Sequence, residues 1–448
     1  MENKSSRLES FLQNPSKALW TMALPIVAGM LVQTLFNVID IMFIGWVGAD
    51  EITAVAFVSP LFFIIIGLTV GLGAGVTATI AQYIGKKDKE SADKVANQTI
   101  LIGLIITLFL TILGEFFAKD LMILLGAQGE ILDIALSYLK ILIYGIGLVV
   151  FSLFFRAILA GEGETKIPMY IGLFGTVMNL ILDPIFIFTL DLKVPGAAIA
   201  TVLSQLFMVV AYLYFIFIKK STYISFRLPS FQFNQSILSK IFQIGIPSSL
   251  SMLIISFGQV VMNRILINYS NEAVAAYQVV SRLDMLIFIP ILGIAISLTT
   301  IVGMFYGAQE FEKLKGIVSY GLRYATFLTV ILVIGLYISA SKILPLFSEN
   351  QEVIAIGVTY LKIIVLVYPF VGYSVICSRI CQALGKGIPL LVTTITRVLL
   401  ITAPLSYYFY IIQKPIEYVW FAQVVAIIFA ALISYIWMRY YFKKFAIV

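Results

Sequence analysis

The chain of 448 residues contains no histidine, two cysteines and few charges, with Lys, Arg, Asp and Glu together making up 12%. Without imidazole there is no histidine general base, zinc ligand or pH switch. Cys377 and Cys381 sit four apart in one apolar stretch, so they form no disulfide framework or metal site and read as small packing residues on one helix face. No G-x-x-x-x-G-K-[ST] loop occurs, and no polar block is long enough for an ATPase domain. Any pumping must therefore draw on an ion gradient. Apolar residues fill the place of the missing charges: 61% of the chain is hydrophobic and the mean hydropathy is +1.03. Soluble domains hold about 45–50% apolar and about 25% charged residues. A soluble enzyme, a nucleic-acid-binding domain and a disordered chain are excluded.

The apolar excess falls in blocks of roughly 20–28 residues, the length that crosses about 30 Å of hydrocarbon as a helix. Spans are expected near 19–45, 54–81, 95–117, 135–157, 168–190 and 196–218, then near 241–268, 274–303, 317–341, 355–380, 388–411 and 418–440. With the N-terminus inside, twenty-one of the 30 Lys and Arg fall on the cytoplasmic side, from Lys4, Arg7 and Lys17 through Lys219, Lys220 and Arg227 to Lys443 and Lys444. That bias predicts a multi-pass protein of the cell membrane with both termini cytoplasmic. The first apolar block is too long for a cleavable signal peptide and lacks a cleavage site.

The chain repeats itself. Leu24-Pro25 precedes Ile246-Pro247 by 222 residues, and the same offset relates Ala54–Ser59 to Ala276–Ser281. It also relates Tyr83-Ile84-Gly85 to Phe305-Tyr306-Gly307, and Tyr138–Ile141 to Tyr360–Ile363. Each half holds six spans, an even number, so both enter the membrane with one polarity. The expected fold is an all-α integral membrane protein of twelve transmembrane helices in two parallel-repeat six-helix bundles, related by a pseudo-two-fold axis along the membrane normal. Residues 1–218 form the N-terminal bundle, 219–240 a basic cytoplasmic linker and 241–448 the C-terminal bundle.

An ionisable side chain at mid-membrane costs about 2.5–3.5 kcal/mol even on lenient scales, so each one inside a span needs a reason. Asp40 in the first span and Asp183 in the fifth have no basic residue nearby in their own spans. Gln33, Asn37 and Asp40 share a helix face, as do Asn179 and Asp183, while Thr201, Ser204 and Gln205 form a polar face on the sixth span. Pro184 must weaken its helix, because it cannot donate to the carbonyl of Leu180. Carboxylate, amide and hydroxyl oxygens in one bundle suit Na⁺; two neighbouring carboxyls suit H⁺ equally well. A plainer reading is an interhelical hydrogen-bond network, disfavoured because Asn or Gln would serve without a charge to bury. The C-terminal half lacks this acidic pair and carries Arg282, Asp284 and Arg397 instead. Arg282 and Asp284 are two apart and do not share a face, and Arg282 and Arg397 are expected to find an acid or a helix C-terminus. Gly67, Gly71 and Gly75 permit close helix approach. Tyr144, Phe151, Phe154, Phe155, Tyr277 and Tyr373 are candidates to line a cleft for bulky amphiphiles.

The opening ALPIVAGMLVQTLFNVIDIMFIGWVG, the fifth-span MNLILDPIFIF and the loops FRAILAGEGETKIP and SRICQALGKGIP resemble the multidrug and toxic compound extrusion (MATE) family over essentially the whole chain. The resemblance implies a V-shaped pair of bundles that exports cationic or amphiphilic compounds in exchange for Na⁺ or H⁺. No cofactor and no nucleic-acid partner are expected, a membrane enzyme is disfavoured without His and without a paired acid and nucleophile at a membrane face, and the chain is expected in a lipid bilayer as a monomer. Carried over position by position, that family's N-lobe cation site falls on Asp40, Asn179, Asp183 and Thr201. Branches of the family also use acids in spans seven and ten, and this chain has none there, which places it with the N-lobe-coupled branches. A flippase for lipids or lipid-linked oligosaccharides, from the same larger superfamily, is the alternative. Against it, the chain has no thirteenth and fourteenth spans.

Overall fold

In a computed structural model, which describes residues 7–226 and 232–445, the chain is helical nearly throughout. Among the described residues, twelve helices are long and apolar enough to cross a membrane. In the N-terminal half these are α1 (Pro15–Val47), α2 (Ala49–Gly85), α3 (Lys89–Leu124), α4 (Gly129–Gly161), α5 (Lys166–Thr189) and α6 (Lys193–Ile218). The C-terminal half holds α7 (Gln235–Leu266), α8 (Asn271–Gly307), α9 (Phe311–Leu346), α10 (Gln351–Ala383), α11 (Ile388–Ile411) and α12 (Glu417–Lys444). A short helix, Leu8–Gln13, precedes α1. Lys4 and Arg227, counted in the charge bias, lie outside the described residues.

Several helices outrun their apolar blocks where capping side chains start them in polar sequence. Asp88 accepts from the Ser91 amide at 3.0 Å and opens α3 at Lys89, ahead of the apolar run at 95. Asn234 and Ser270 do the same for α7 and α8. Each cap satisfies an amide that the first helical turn leaves without a partner.

The duplication is visible in the backbone. Left-handed residues recur at the offset of 222: Lys87 with Gln309, Gly163 with Gly385, and Asp191 with Gln413. At the middle pair the glycine ends a helix and the next amide reaches back five residues, Glu164 to Leu159 at 2.8 Å and Lys386 to Cys381 at 2.8 Å. Only glycine takes this conformation without strain against Cβ.

The halves meet at one end and part at the other. A single hydrophobic core at the linker end joins residues of both, including Leu19, Val76 and Ile158 with Ile301, Phe305 and Ile380. Cys377 and Cys381 are buried in it. At the opposite end the core divides. One cluster around Tyr138 and Ile143 belongs to the N-terminal half, and another around Tyr360 and Trp420 belongs to the C-terminal half.

The seam of the joined end is built on small residues. A Cβ on Gly71 would stand 2.3 Å from the Ser249 amide nitrogen, and one on Gly75 the same distance from the Ile241 carbonyl oxygen. Polar bonds cross the seam as well: Ser249 Oγ donates to Leu68 O at 2.8 Å, Gln82 Nε2 to Ala383 O at 2.7 Å and Thr300 Oγ1 to Ala160 O at 2.8 Å. Phe154 and Phe155, expected at a cleft, are buried here instead.

The chain after α6 is clamped to the same end through its backbone. Glu162 Oε2 accepts from the amides of Tyr223 at 2.9 Å and Ile224 at 3.1 Å, and Asp93 accepts from Ser225 at 2.8 Å. Arg7 pairs with Glu164, whose other oxygen caps α5 at Lys166 and Ile167.

Candidate functional site

Asn179 and Asp183 lie one turn apart on α5, as their spacing requires, and both are buried. Asn179 Nδ2 donates to Asp183 Oδ1 at 3.0 Å. Pro184 then removes an amide, and the helix widens into a π turn over Ile185–Thr189, with Leu190 N donating to Ile185 O at 2.9 Å. α6 packs directly on this turn, because Gly196 has no Cβ: one there would stand 2.5 Å from Phe186 O. The turn therefore holds Asp183 in a fixed place.

From α1, Asp40 brings its carboxyl within hydrogen-bonding reach of Asp183. Tyr138 of α4, itself buried, lies in the field of both acids. No Lys or Arg pairs with either carboxyl among the described residues. Asp40 Oδ1, Asp183 Oδ2 and Asn179 Oδ1 are buried without a donor, and so is Gln205 Oε1 on α6. Buried oxygen acceptors are nearly always partnered, so the open ones on Asp40, Asp183 and Asn179 are free to accept a proton or a cation.

Other expected members of the site stand apart. Gln33 Nε2 donates to Asn37 Oδ1 at 3.4 Å, and both residues are exposed. Ser204 Oγ turns back to Ala200 O at 2.8 Å. Thr201 is half-buried on α6, and no hydrogen bond joins it to the carboxyls. In the C-terminal half, Asp284 accepts from the Tyr368 hydroxyl rather than pairing with Arg282. Neither Arg282 nor Arg397 forms an ion pair among the described residues, so of the two expected partners, an acid or a helix C-terminus, the acid is not found. Arg397 sits in another π turn, Thr396–Thr402, close to Tyr277.

The MatE family model matches the chain twice, over residues 25–185 and 247–408, the two matches starting 222 residues apart. The chain belongs to the MatE family. Among relatives, it is similar to the probable multidrug resistance protein YoeA of Bacillus subtilis, with 25% identity over 94% of this chain and 92% of that one. It is also similar to the multidrug export protein MepA of Staphylococcus aureus, with 28% identity over 86% and 85%. A solved multidrug resistance MATE family transporter in an outward-facing conformation superposes with a TM-score of 0.93 at 31% identity, covering 99% of each chain. The MATE chain described here is thus a twelve-helix membrane transporter and not an enzyme.

Within this MATE fold, Tyr138 is the site residue that the sequence did not single out. A tyrosine in an apolar helix is ordinary, and cost of burial marks only charges. The repeat carried a signal: Tyr360, its counterpart 222 residues on, lies in the field of Asp284 and donates to Gln423 Oε1 at 3.1 Å. Each half thus sets a buried tyrosine from its fourth helix in the field of an acid.

Proposed function

We propose that this MATE protein is a secondary antiporter of the cell membrane that exports cationic or amphiphilic compounds in exchange for Na⁺ or H⁺. The observation that carries this is the facing of Asp40 and Asp183, drawn from helices far apart in sequence, beside Asn179 and away from any basic side chain. Two carboxyls this close either keep a proton on one of them or need a metal cation between them to carry both negative charges. The site therefore changes charge when a cation arrives. Asn179 orients Asp183, and Tyr138 stands beside both acids. Thr201 is assigned to the site on family resemblance.

Cation binding draws α1 and α5 together, while a cationic substrate needs the same negative charge. Occupancy by one opposes the other, which is what coupling requires. The orientation is with the linker end in the cytoplasm, supported by the Lys and Arg bias. In that orientation the parted end of the bundles opens outward. The protein acts as a monomer and uses no cofactor besides the coupling ion. The relatives' names, multidrug resistance and multidrug export, support the substrate class.

The test is dye efflux from proteoliposomes under separately imposed Na⁺ and proton gradients, for the parent, Asp40→Asn and Asp183→Asn. Efflux driven by one gradient and abolished in both variants is expected. Gradient-driven efflux that survives both substitutions removes the carboxyls from the mechanism. No gradient-driven efflux of any cationic dye would turn attention to the flippase, with lipid scrambling measured next.

A further inference from the structure

A groove of about 720 Å³ runs down the outside of the C-terminal half at the linker end, between α9, α10 and α12. Its walls are apolar and aromatic, with Phe327, Tyr373 and Tyr435 prominent, and its charged lining residues, Lys315, Arg323 and Arg439, are all cationic. No carboxylate lines it. Lys315 pairs with Glu312 at the mouth, at 3.2 Å. Arg323 Nε donates only to Ser319 O of its own helix, at 3.3 Å, and Arg439 has no ion pair among the described residues.

Depth decides what these charges face. α9 spans 36 residues, about 54 Å at 1.5 Å per residue, so it overhangs a 30 Å hydrocarbon core by about 12 Å at each end. Arg323 is twelve residues in, about 18 Å from the start, and so sits just inside the hydrocarbon boundary. Arg439 lies five residues, about 7.5 Å, from the end of α12, which has 28 residues and overhangs by about 6 Å, so it too sits just inside the boundary. Two arginines from different helices are thus rooted just inside the hydrocarbon boundary, from where their long side chains snorkel to headgroup depth beside an apolar groove. Tyr373 and Tyr435, with ring centroids 5.9 Å apart, lie in the same groove.

We infer that this groove is a binding site for an anionic phospholipid, with the phosphate between Arg323 and Arg439 and an acyl chain in the cleft past Phe327. Basic pockets between helices at the membrane surface recognise lipid headgroups through charge-assisted hydrogen bonds, and tyrosines belong at the same level. The inference is independent of the antiport reading: it uses none of the residues near Asp40 and Asp183, and its test measures no transport.

The experiment is native mass spectrometry of the full chain in detergent, titrated with phosphatidylglycerol or phosphatidylcholine of identical acyl chains. Phosphatidylglycerol is expected to stay bound at collision energies that strip phosphatidylcholine. Each basic side chain near an anionic surface contributes a factor of about five, so R323Q/R439Q should weaken retention roughly 30-fold, to the phosphatidylcholine level. K443Q/K444Q, which removes charge from the same end outside the groove, should retain phosphatidylglycerol like the parent. Equal retention of the two lipids by the parent, a comparison that needs no variant, overturns the proposal. Equal losses in the two double variants also overturn it, as general surface charge. Displacement of the lipid by chainless glycerophosphoglycerol would make the groove a phosphate site instead, and a dimer peak lost in R323Q/R439Q would make it an interface between copies.

Discussion

Asn179 is a residue whose contribution can be separated from that of the acids it serves. Its amide donates to Asp183 at 3.0 Å in a buried setting, and hydrogen bonds to charged groups contribute about 1.5–3 kcal/mol. Asn179→Ala should therefore raise the coupling-ion concentration for half-maximal efflux about tenfold or more, with dye affinity measured without a gradient unchanged. Gln33→Ala and Asn37→Ala should leave both quantities alone, because those two residues bond to each other and are exposed. A tenfold effect at Gln33 would instead bring the whole polar face of α1 into the site.

Glu162 gives a prediction about pH. It lies beyond α4, buried, with its carboxyl pushed up from 4.5 to about 7 by burial, against the pull of the Ile224 and Tyr223 amides and of Arg7. Between those values the folded chain holds a proton that the unfolded chain has released. Stability from this group is therefore fully present below pH 4.5, is lost as pH rises towards 7, and is constant above it. Thermal unfolding of the detergent-solubilised protein between pH 5 and 8 should show this fall. Glu162→Gln, neutral throughout and still able to accept from both amides, should flatten the fall. An unchanged pH slope in the variant would assign the effect to other groups.

At the scale of elements, the close seam between α2 and α7 rests on glycine. Gly71→Ala and Gly75→Ala each drive a methyl group against backbone of α7, and overpacking of this kind costs about 1–3 kcal/mol. Either substitution should lower the unfolding temperature by several degrees. Gly172→Ala on α5, where a Cβ meets nothing within 4 Å, should hold or raise it, since alanine favours helix by about 1 kcal/mol. Equal effects at the three positions would show that helix propensity and not the seam is being measured. The π turn after Pro184 is a related device. The proline was visible in the sequence, but whether the helix would end, kink or widen depended on α6 packing against it at Gly196.

For the whole molecule, the arrangement of cores sets where motion is possible. The linker end is one continuous core and the far end is two, so the halves can close at the far end without breaking either bundle. Spin labels at Asp50 and Asn350, both at the parted end, should move closer when the coupling ion or a dye shifts the transporter to its other state. A pair across the linker end should move apart. Labelling is simple, because the two native cysteines are buried. A far-end distance that ignores ion, pH and dye alike would exclude rocking of the bundles.

Much of this was written in the sequence, and the reason is the bilayer. A span must be long and apolar, and a buried charge must be explained, so helix count, the duplication at 222 and the pair Asp40 and Asp183 could be read from residue types and spacing alone. What no local rule reaches is contact between helices distant in sequence. An aromatic residue reads alike whether it faces lipid, a cleft or a packed seam, so Phe154 and Phe155 were expected at a cleft and Tyr138 was passed over at the acids. The spacing of Arg282 and Asp284 showed that they do not share a face, but not that Tyr368 from another helix reaches the acid. Membrane chemistry determined the spans from the sequence, while close packing decided which of their faces meet, since only the assembled helices define what each side chain touches.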